Sequence, residues 1–129
     1  MPTPTPGPRP GAALQTIAMP ADTNANGDIF GGWLMGQMDL GASVLARSLA
    51  GGRVATVAVS EMRFHHPVRV GDVVSIFPTV AELGRTSMTL DVEVRIFNAE
   101  NGDERRVAET RMIFVAIDRD GKPRPLPVD

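Results

Sequence analysis

Between Gly32 and Leu49 the chain carries only two charged side chains, Asp39 and Arg47. Leu34, Met38, Leu45 and Leu49 in that stretch follow spacings of 4, 7 and 4, which stack on one helical face. Gly31-Gly32 stand at its start, and Gly51-Gly52 end it as a glycine C-cap. A helix on the surface of a small protein normally shows a wide charged face. This one lacks it, so it must be enclosed on most sides, wrapped by a sheet and packed on a neighbour.

The flanking sequence supplies the sheet. Residues 14–21 hold a short apolar stretch ended by Pro20 and read as an edge strand. Asp22 to Asp28 is almost all turn and cap formers, hence a loop. After the helix, Val54–Val59 and Val73–Val80 are β-branched and apolar. Ser87–Ile96 alternates strictly, with Met88, Leu90, Val92, Val94 and Ile96 on one side and Ser87, Thr89, Asp91, Glu93 and Arg95 on the other. That is a strand with one wet face. Val107–Ile117 closes the set, and Gly84 and Asn101-Gly102 mark turns that make the pairing antiparallel. One long central helix on one face of an antiparallel sheet is an α+β fold.

Length and composition bound the rest. The 129 residues make one domain. Pro occupies every even position from Pro2 to Pro10, so residues 1–12 read as a disordered, extended tail and residues 13–129 as the domain. A domain this small gains by burying more surface in an oligomer. The net charge of −2 argues against a nucleic-acid partner. With no cysteine there is no disulfide, thiolate nucleophile or Cys-based zinc site. Neither a signal peptide nor an apolar run of membrane-spanning length is present, so the expected setting is the cytoplasm with no membrane partner.

Several residues are candidates for chemistry. The helical neighbours of Asp39 are Met35, Gly36, Ala42 and Ser43, all small or apolar. A carboxylate in such surroundings usually has a task or a partner, although it could also lie on a thin exposed strip. Asn24 and Asn26 precede the helix; an amide can donate to an oxyanion, yet Asn is also a common turn former. Gly31-Gly32 leave free N–H groups at the positive end of the helix, suited to an anion or a polarised carbonyl, or simply permit close packing. His65 and His66 are adjacent, so in a strand they would point to opposite faces and not share a metal. No serine nucleophile elbow and no phosphate loop occurs. Arg63, Arg69, Arg85, Lys122 and Arg124 are scattered cations that either meet phosphates or are solvated.

The stretch Ala18-Met-Pro-Ala-Asp-Thr-Asn-Ala-Asn-Gly-Asp-Ile-Phe-Gly-Gly-Trp-Leu-Met-Gly-Gln-Met-Asp39 resembles the YciA-like bacterial acyl-CoA thioesterases, relatives of brain acyl-CoA hydrolase. The likeness continues through Gly52-Arg-Val-Ala-Thr-Val, Phe64-His-His-Pro-Val-Arg-Val-Gly-Asp-Val-Val and Val115-Ala-Ile-Asp-Arg-Asp-Gly-Lys-Pro-Arg-Pro-Leu-Pro127. The resemblance implies a hot-dog fold and hydrolysis of acyl-CoA to fatty acid and coenzyme A, within fatty acid metabolism. It implies a homo-oligomer: a dimer with joined sheets and two interface sites, often assembled further as a trimer of dimers. Coenzyme A belongs to the substrate; no other cofactor and no metal is implied.

Carried onto this chain, the resemblance makes Asp39 the general base or nucleophile. Asn24 becomes the polar loop residue facing the reacting centre, and Gly31 the backbone N–H that polarises the carbonyl. Asn24 and Gly31 would come from one chain and Asp39 from the other. Thr56 becomes a candidate for holding water. Gly32, Arg69, Arg85, Lys122 and Arg124 become candidates for binding substrate. Many hot-dog thioesterases have His before the two glycines; here it is Phe30, which leaves only the backbone donor. Competing readings are a hot-dog hydratase, which would need a His five residues from Asp39 on the helix, and a non-catalytic acyl-CoA sensor or carrier, which would not need Asp39.

Overall fold

The computed structural model describes residues 7–127. In chain order the elements are β1 (Leu14–Ile17), a 3-10 turn (Pro20–Asp22), α1 (Gly31–Ala50), β2 (Val54–Phe64), β3 (Val73–Leu83), β4 (Ser87–Phe97) and β5 (Glu104–Ala116). The five strands form one antiparallel sheet in the order β1-β3-β4-β5-β2, with α1 on its concave face. This is the helix wrapped by an antiparallel sheet that pattern and resemblance both imply. The first strand lies at an edge, as its proline suggests, and is shorter than expected because the 3-10 turn begins at Pro20.

The alternation in β4 survives intact. Met88, Leu90, Val92, Val94 and Ile96 are buried against the helix side, together with Ile76 of β3 and Met112 and Phe114 of β5. The outer face is wet and charged. Arg111 reaches Asp91 at 2.8 Å, and Arg95 bridges Glu93 at 2.8 Å and Glu104 at 2.9 Å. The hydrogen bond from Arg111 holds the Asp91 carboxyl below the usual carboxylate range, against a smaller opposing effect of burial.

The helix sits on the sheet through small side chains rather than through the leucine stripe alone. Its buried residues are Leu34, Met38, Gly41, Ala42, Ala46 and Ala50, while Leu45 and Leu49 pack at the margin. At Gly41 the approach is so close that a Cβ would stand 2.5 Å from Cγ2 of Ile76. The C-terminal end is set by Gly51, whose φ of 68° supplies the left-handed cap. The rest of the helix surface is not covered within this chain: Met35, Leu40 and Val44 are exposed, as are Val57 and Val59 on the edge strand β2.

Both ends of the described chain return to the sheet. Residues 1–6 of the proline-rich stretch lie outside the described residues. The remainder of that stretch is tied down at Arg9, whose N–H donates to Glu104 at 2.7 Å and whose guanidinium lies 6.0 Å from the Phe77 ring centroid. After β5, the Asp118 carboxylate accepts N–H bonds from Asp120 and Lys122, both at 2.9 Å, and turns the chain back. Arg124 then donates through Nη2 to the Ala50 carbonyl at 3.0 Å and through Nε to the Ile117 carbonyl at 3.1 Å, so it satisfies an open carbonyl at the end of α1.

Two substitutions test this packing. Gly41→Ala should lower stability by about 1–3 kcal/mol, because the new methyl has nowhere to go; an unchanged melting temperature would show that the helix is not tightly seated. Arg124→Ala should cost about 1–2 kcal/mol by leaving part-buried carbonyls without a donor, whereas Arg85→Ala, at an exposed hairpin, should melt like the parent.

Candidate active site

Asp39 lies in the third turn of α1 and faces β2. The Thr56 hydroxyl on β2 donates to its Oδ1 at 2.6 Å. Thr56 is paired with Phe114 of β5, and the register slips immediately after it, between Thr56 and Ala58. Such a bulge re-aims side chains on a strand. The second oxygen of Asp39 has no partner among the described residues. The carboxylate is half-buried within one chain, not enclosed as the pattern suggested, and its flank is bordered by exposed Met35 and Gly36. The resemblance offers Thr56 as a candidate for holding water; in the structure its hydroxyl donates to the Asp39 carboxylate.

The loop before α1 is a pinned turn. Asn24 Oδ1 accepts the N–H of Asn26 at 2.9 Å and of Asp28 at 3.2 Å. The Phe30 N–H donates to the Asp22 carbonyl at 2.6 Å, and Thr23 bridges Ile29. Two donors converging on one atom identify that atom as oxygen, which leaves the Asn24 Nδ2 as the outward group. Asn24 is therefore a turn former by its oxygen and an available donor by its nitrogen.

Asn24 lines a cavity of about 310 Å³ whose walls include Gly31, Leu34, Phe64, His66 and Pro67. Gly31 has no intrahelical partner for its N–H in the first turn, and a Cβ there would meet nothing. Gly32 is different: a Cβ would stand 2.8 Å from the Phe30 ring, so this glycine accommodates the aromatic that precedes the helix. Asn24 and Gly31 line the same space.

Asp39 and Thr56 do not line that cavity. Asp39 is eight residues beyond Gly31, about 12 Å along a helix that rises 1.5 Å per residue. One chain therefore presents two half-sites: a donor pair at the head of the helix, and a held carboxylate lower on its flank. A single reacting group could not contact both halves of the same chain.

The four basic residues read from sequence do not sit together. Arg85, Lys122 and Arg124 are at the sheet end where β4 begins and β5 finishes, and Arg124 is engaged with the helix terminus. Arg69 is at the opposite end, its N–H donating to the Asp72 carboxylate at 2.9 Å. His65 and His66 lie just past the end of β2 and both line the cavity, and His65 also meets Glu109 at 3.1 Å. Sequence reasoning assigned His66 no role, and nothing in its spacing announces the cavity wall. Among the described residues no cluster of three metal-ligating side chains occurs, and no helix is long and apolar enough to cross a membrane.

Comparison with known proteins identifies the family and the fold. The Thioesterase superfamily model matches residues 26–102. The acyl-CoA thioester hydrolase YciA of Salmonella typhimurium is 52% identical over 118 residues, 89% of each chain. Among solved structures, the hexameric thioesterase of Yersinia pestis superposes with a TM-score of 0.88 at 48% identity, covering 94% of this chain and 98% of the other. A hexameric broad specificity acyl-coenzyme A thioesterase, in its aspartate-to-alanine form, superposes with a TM-score of 0.90 at 44% identity, covering 94% and 89%. The Staphylococcus aureus acyl-CoA hydrolase, solved with butyryl coenzyme A and coenzyme A, gives a TM-score of 0.81 at 32% identity, covering 88% and 70%. That protein has also been solved as an asparagine-to-alanine and an aspartate-to-alanine variant, at positions fifteen residues apart. With a family model over more than half its length and about half its residues shared with such relatives, this chain belongs to the Thioesterase superfamily.

Proposed function

We propose that this protein hydrolyses acyl-CoA thioesters to a carboxylic acid and coenzyme A, at a site assembled from two copies of the chain. The observation that carries the reading is the Asp39 carboxylate, held on one oxygen by Thr56 and open on the other. A sensor or carrier would have no use for it, and no histidine lies between residues 22 and 50 to support hydratase chemistry. Asn24 and Asp39 are fifteen positions apart, the separation of the two positions substituted in the Staphylococcus aureus hydrolase.

In this reading the Asn24 Nδ2 and the Gly31 N–H of one chain bind the thioester oxygen. Asp39 of the second chain takes a proton from water as the water oxygen bonds to the carbonyl carbon. The oxyanion that forms is stabilised by the two donors, which are already oriented and require no reorganisation. Collapse breaks the carbon–sulfur bond, and the departing thiolate takes up the proton that Asp39 acquired. Direct attack by Asp39, through a mixed anhydride that water then opens, uses the same groups. Coenzyme A enters as part of the substrate, and neither route needs a metal or a further cofactor. Gly32 keeps room for the Phe30 ring beside the donor pair.

The 12 Å separation of the half-sites and the apolar strips flanking α1 support a dimer built across β2. Val80 and Leu83 of β3 are exposed as well, on a strand away from β2 in the sheet order. Two such surfaces suit a dimer that assembles further, as a trimer of dimers, and hexamers are the form solved for the Yersinia pestis relative.

Three measurements test the proposal. Asp39→Asn keeps size and hydrogen bonding but removes the basic oxygen; kcat should fall about 100- to 10,000-fold with assembly and coenzyme A binding retained. Turnover near that of the parent would remove Asp39 from the mechanism. Asn24→Asp keeps the oxygen that pins the loop and deletes the donor. It should melt normally yet lose about 100- to 1,000-fold in rate, whereas a residue serving only the turn would leave the rate intact. Light scattering at micromolar concentration should show no monomer; an active monomer would defeat the shared site.

A further inference from the structure

Strand β2 carries one residue more than its neighbour can pair. Ser60 stands opposite Arg111 and Arg63 opposite Glu109, so Glu61 and Met62 together face the single residue Thr110. That is a β-bulge, and an extra residue reverses the in-and-out alternation of everything after it. Ser60 lies on the outer face of the sheet, as Arg111 does. Counted straight from Ser60, Phe64 would turn outward and Arg63 would turn in toward the helix. The bulge inverts this. Met62 packs against the core, and Phe64 walls the cavity of about 310 Å³ that Asn24 and Gly31 also line. Arg63 joins the outer face, where it meets Glu61 at 2.9 Å.

The bulge is strained, and it is held. Glu61 has a φ of 28°, the one positive value at a non-glycine among the described residues. Such a conformation persists only where its surroundings over-determine it. Thr110 points to the inner face opposite Val92, is 6% exposed, and donates through its hydroxyl to the Ser60 carbonyl at 2.6 Å. The Ser60 hydroxyl in turn donates to the Arg111 carbonyl at 3.3 Å. Two side chains thus take up backbone carbonyls where the ladder is interrupted.

We propose that Thr110 is a positioning residue for the reaction, and that the bulge it latches decides which side chain of β2 closes the space around the donor pair. The inference rests on the thioesterase reading and adds a residue to it that touches no substrate and acts through Phe64. An aromatic ring on that wall keeps water and charge away from Asn24 and Gly31, so the donors act on the developing oxyanion in a low dielectric. A guanidinium in its place would hold water there and draw the oxygen out of line with two fixed donors.

The test separates latch, ring and strain on the assembled enzyme, with butyryl-CoA as substrate. Thr110→Val keeps the shape of the side chain and removes its hydroxyl. Its kcat should fall about 10- to 100-fold, the scale of a misplaced group beside the chemistry, with KM within about twofold of the parent. Thr110→Ser restores the hydroxyl and should recover most of that rate. Phe64→Arg puts a guanidinium on the wall with the bulge intact; it should lose kcat to the same extent while melting like the parent. Glu61→Gly relieves the backbone without touching the latch and should melt no lower than the parent, at unchanged kcat. A crystal structure of Thr110→Val reads the register without turnover and should show Phe64 displaced from the cavity wall. A parent that hydrolyses no thioester would remove the thioesterase reading and the role in the reaction with it, and the crystal structure alone would then decide whether Thr110 sets the register. With an active parent, a Thr110→Val protein that melts earlier yet turns over normally when cold, or that keeps Phe64 on the wall, would overturn the proposal. So would parent-like kcat in Phe64→Arg.

Discussion

The seat of α1 on β3 governs much of this molecule. Gly41 lets the helix axis descend until backbone nearly meets the Ile76 side chain, and Ala42, Ala46 and Ala50 continue the close contact. Interiors are packed too densely to absorb an extra methylene without shifting their neighbours. Because the contact face is made of small residues, the sheet can curl around the helix instead of lying under it. That curl carries the edge strand β2 up the flank of α1, where Thr56 meets Asp39. The hydrogen bond between Thr56 and Asp39 is thus a consequence of how little side chain separates helix from sheet on the other side.

A division of labour at the head of the helix follows from hydrogen-bond supply. Helix termini leave N–H groups without partners. Here the preceding loop satisfies its own needs with the Asn24 oxygen and the Asp22 carbonyl, and leaves the N–H at Gly31 and the Asn24 amide nitrogen unspent. The order of the loop and the availability of its donors have the same origin.

Much of the architecture was legible in the chain because it rests on periodicity. The alternation over Ser87–Ile96, the uncharged helix and the glycine turns each express a local rule, and each appears in the structure. The helix contact face was less legible. Leucines draw attention in a pattern, yet Leu45 and Leu49 lie at the margin, and depth is set by glycine and alanine, whose importance depends on what stands opposite. In the site, Asp39 stood out by its apolar neighbours, but the Thr56 bond spans seventeen residues and no spacing rule reports it. Asn24 and Asn26 were both candidates from their loop position, and only the resemblance favoured Asn24. The scatter of Arg69, Arg85, Lys122 and Arg124 over opposite ends of the sheet is a tertiary property, as is the place of His66 in the cavity wall.

The edge strand β2 has a consequence for the chain before it finds a partner. It is eleven residues long, carries exposed valines, and has no proline to blunt it. Folded proteins usually protect such an edge, because any compatible strand can dock on it. This chain leaves it open and interrupts it only with bulges near Thr56 and Ser60. Its fate in a crowded mixture then depends on abundance: enough copies of itself must be nearby to claim the edge before an unrelated strand does. Expression level is in that sense a folding parameter for this chain.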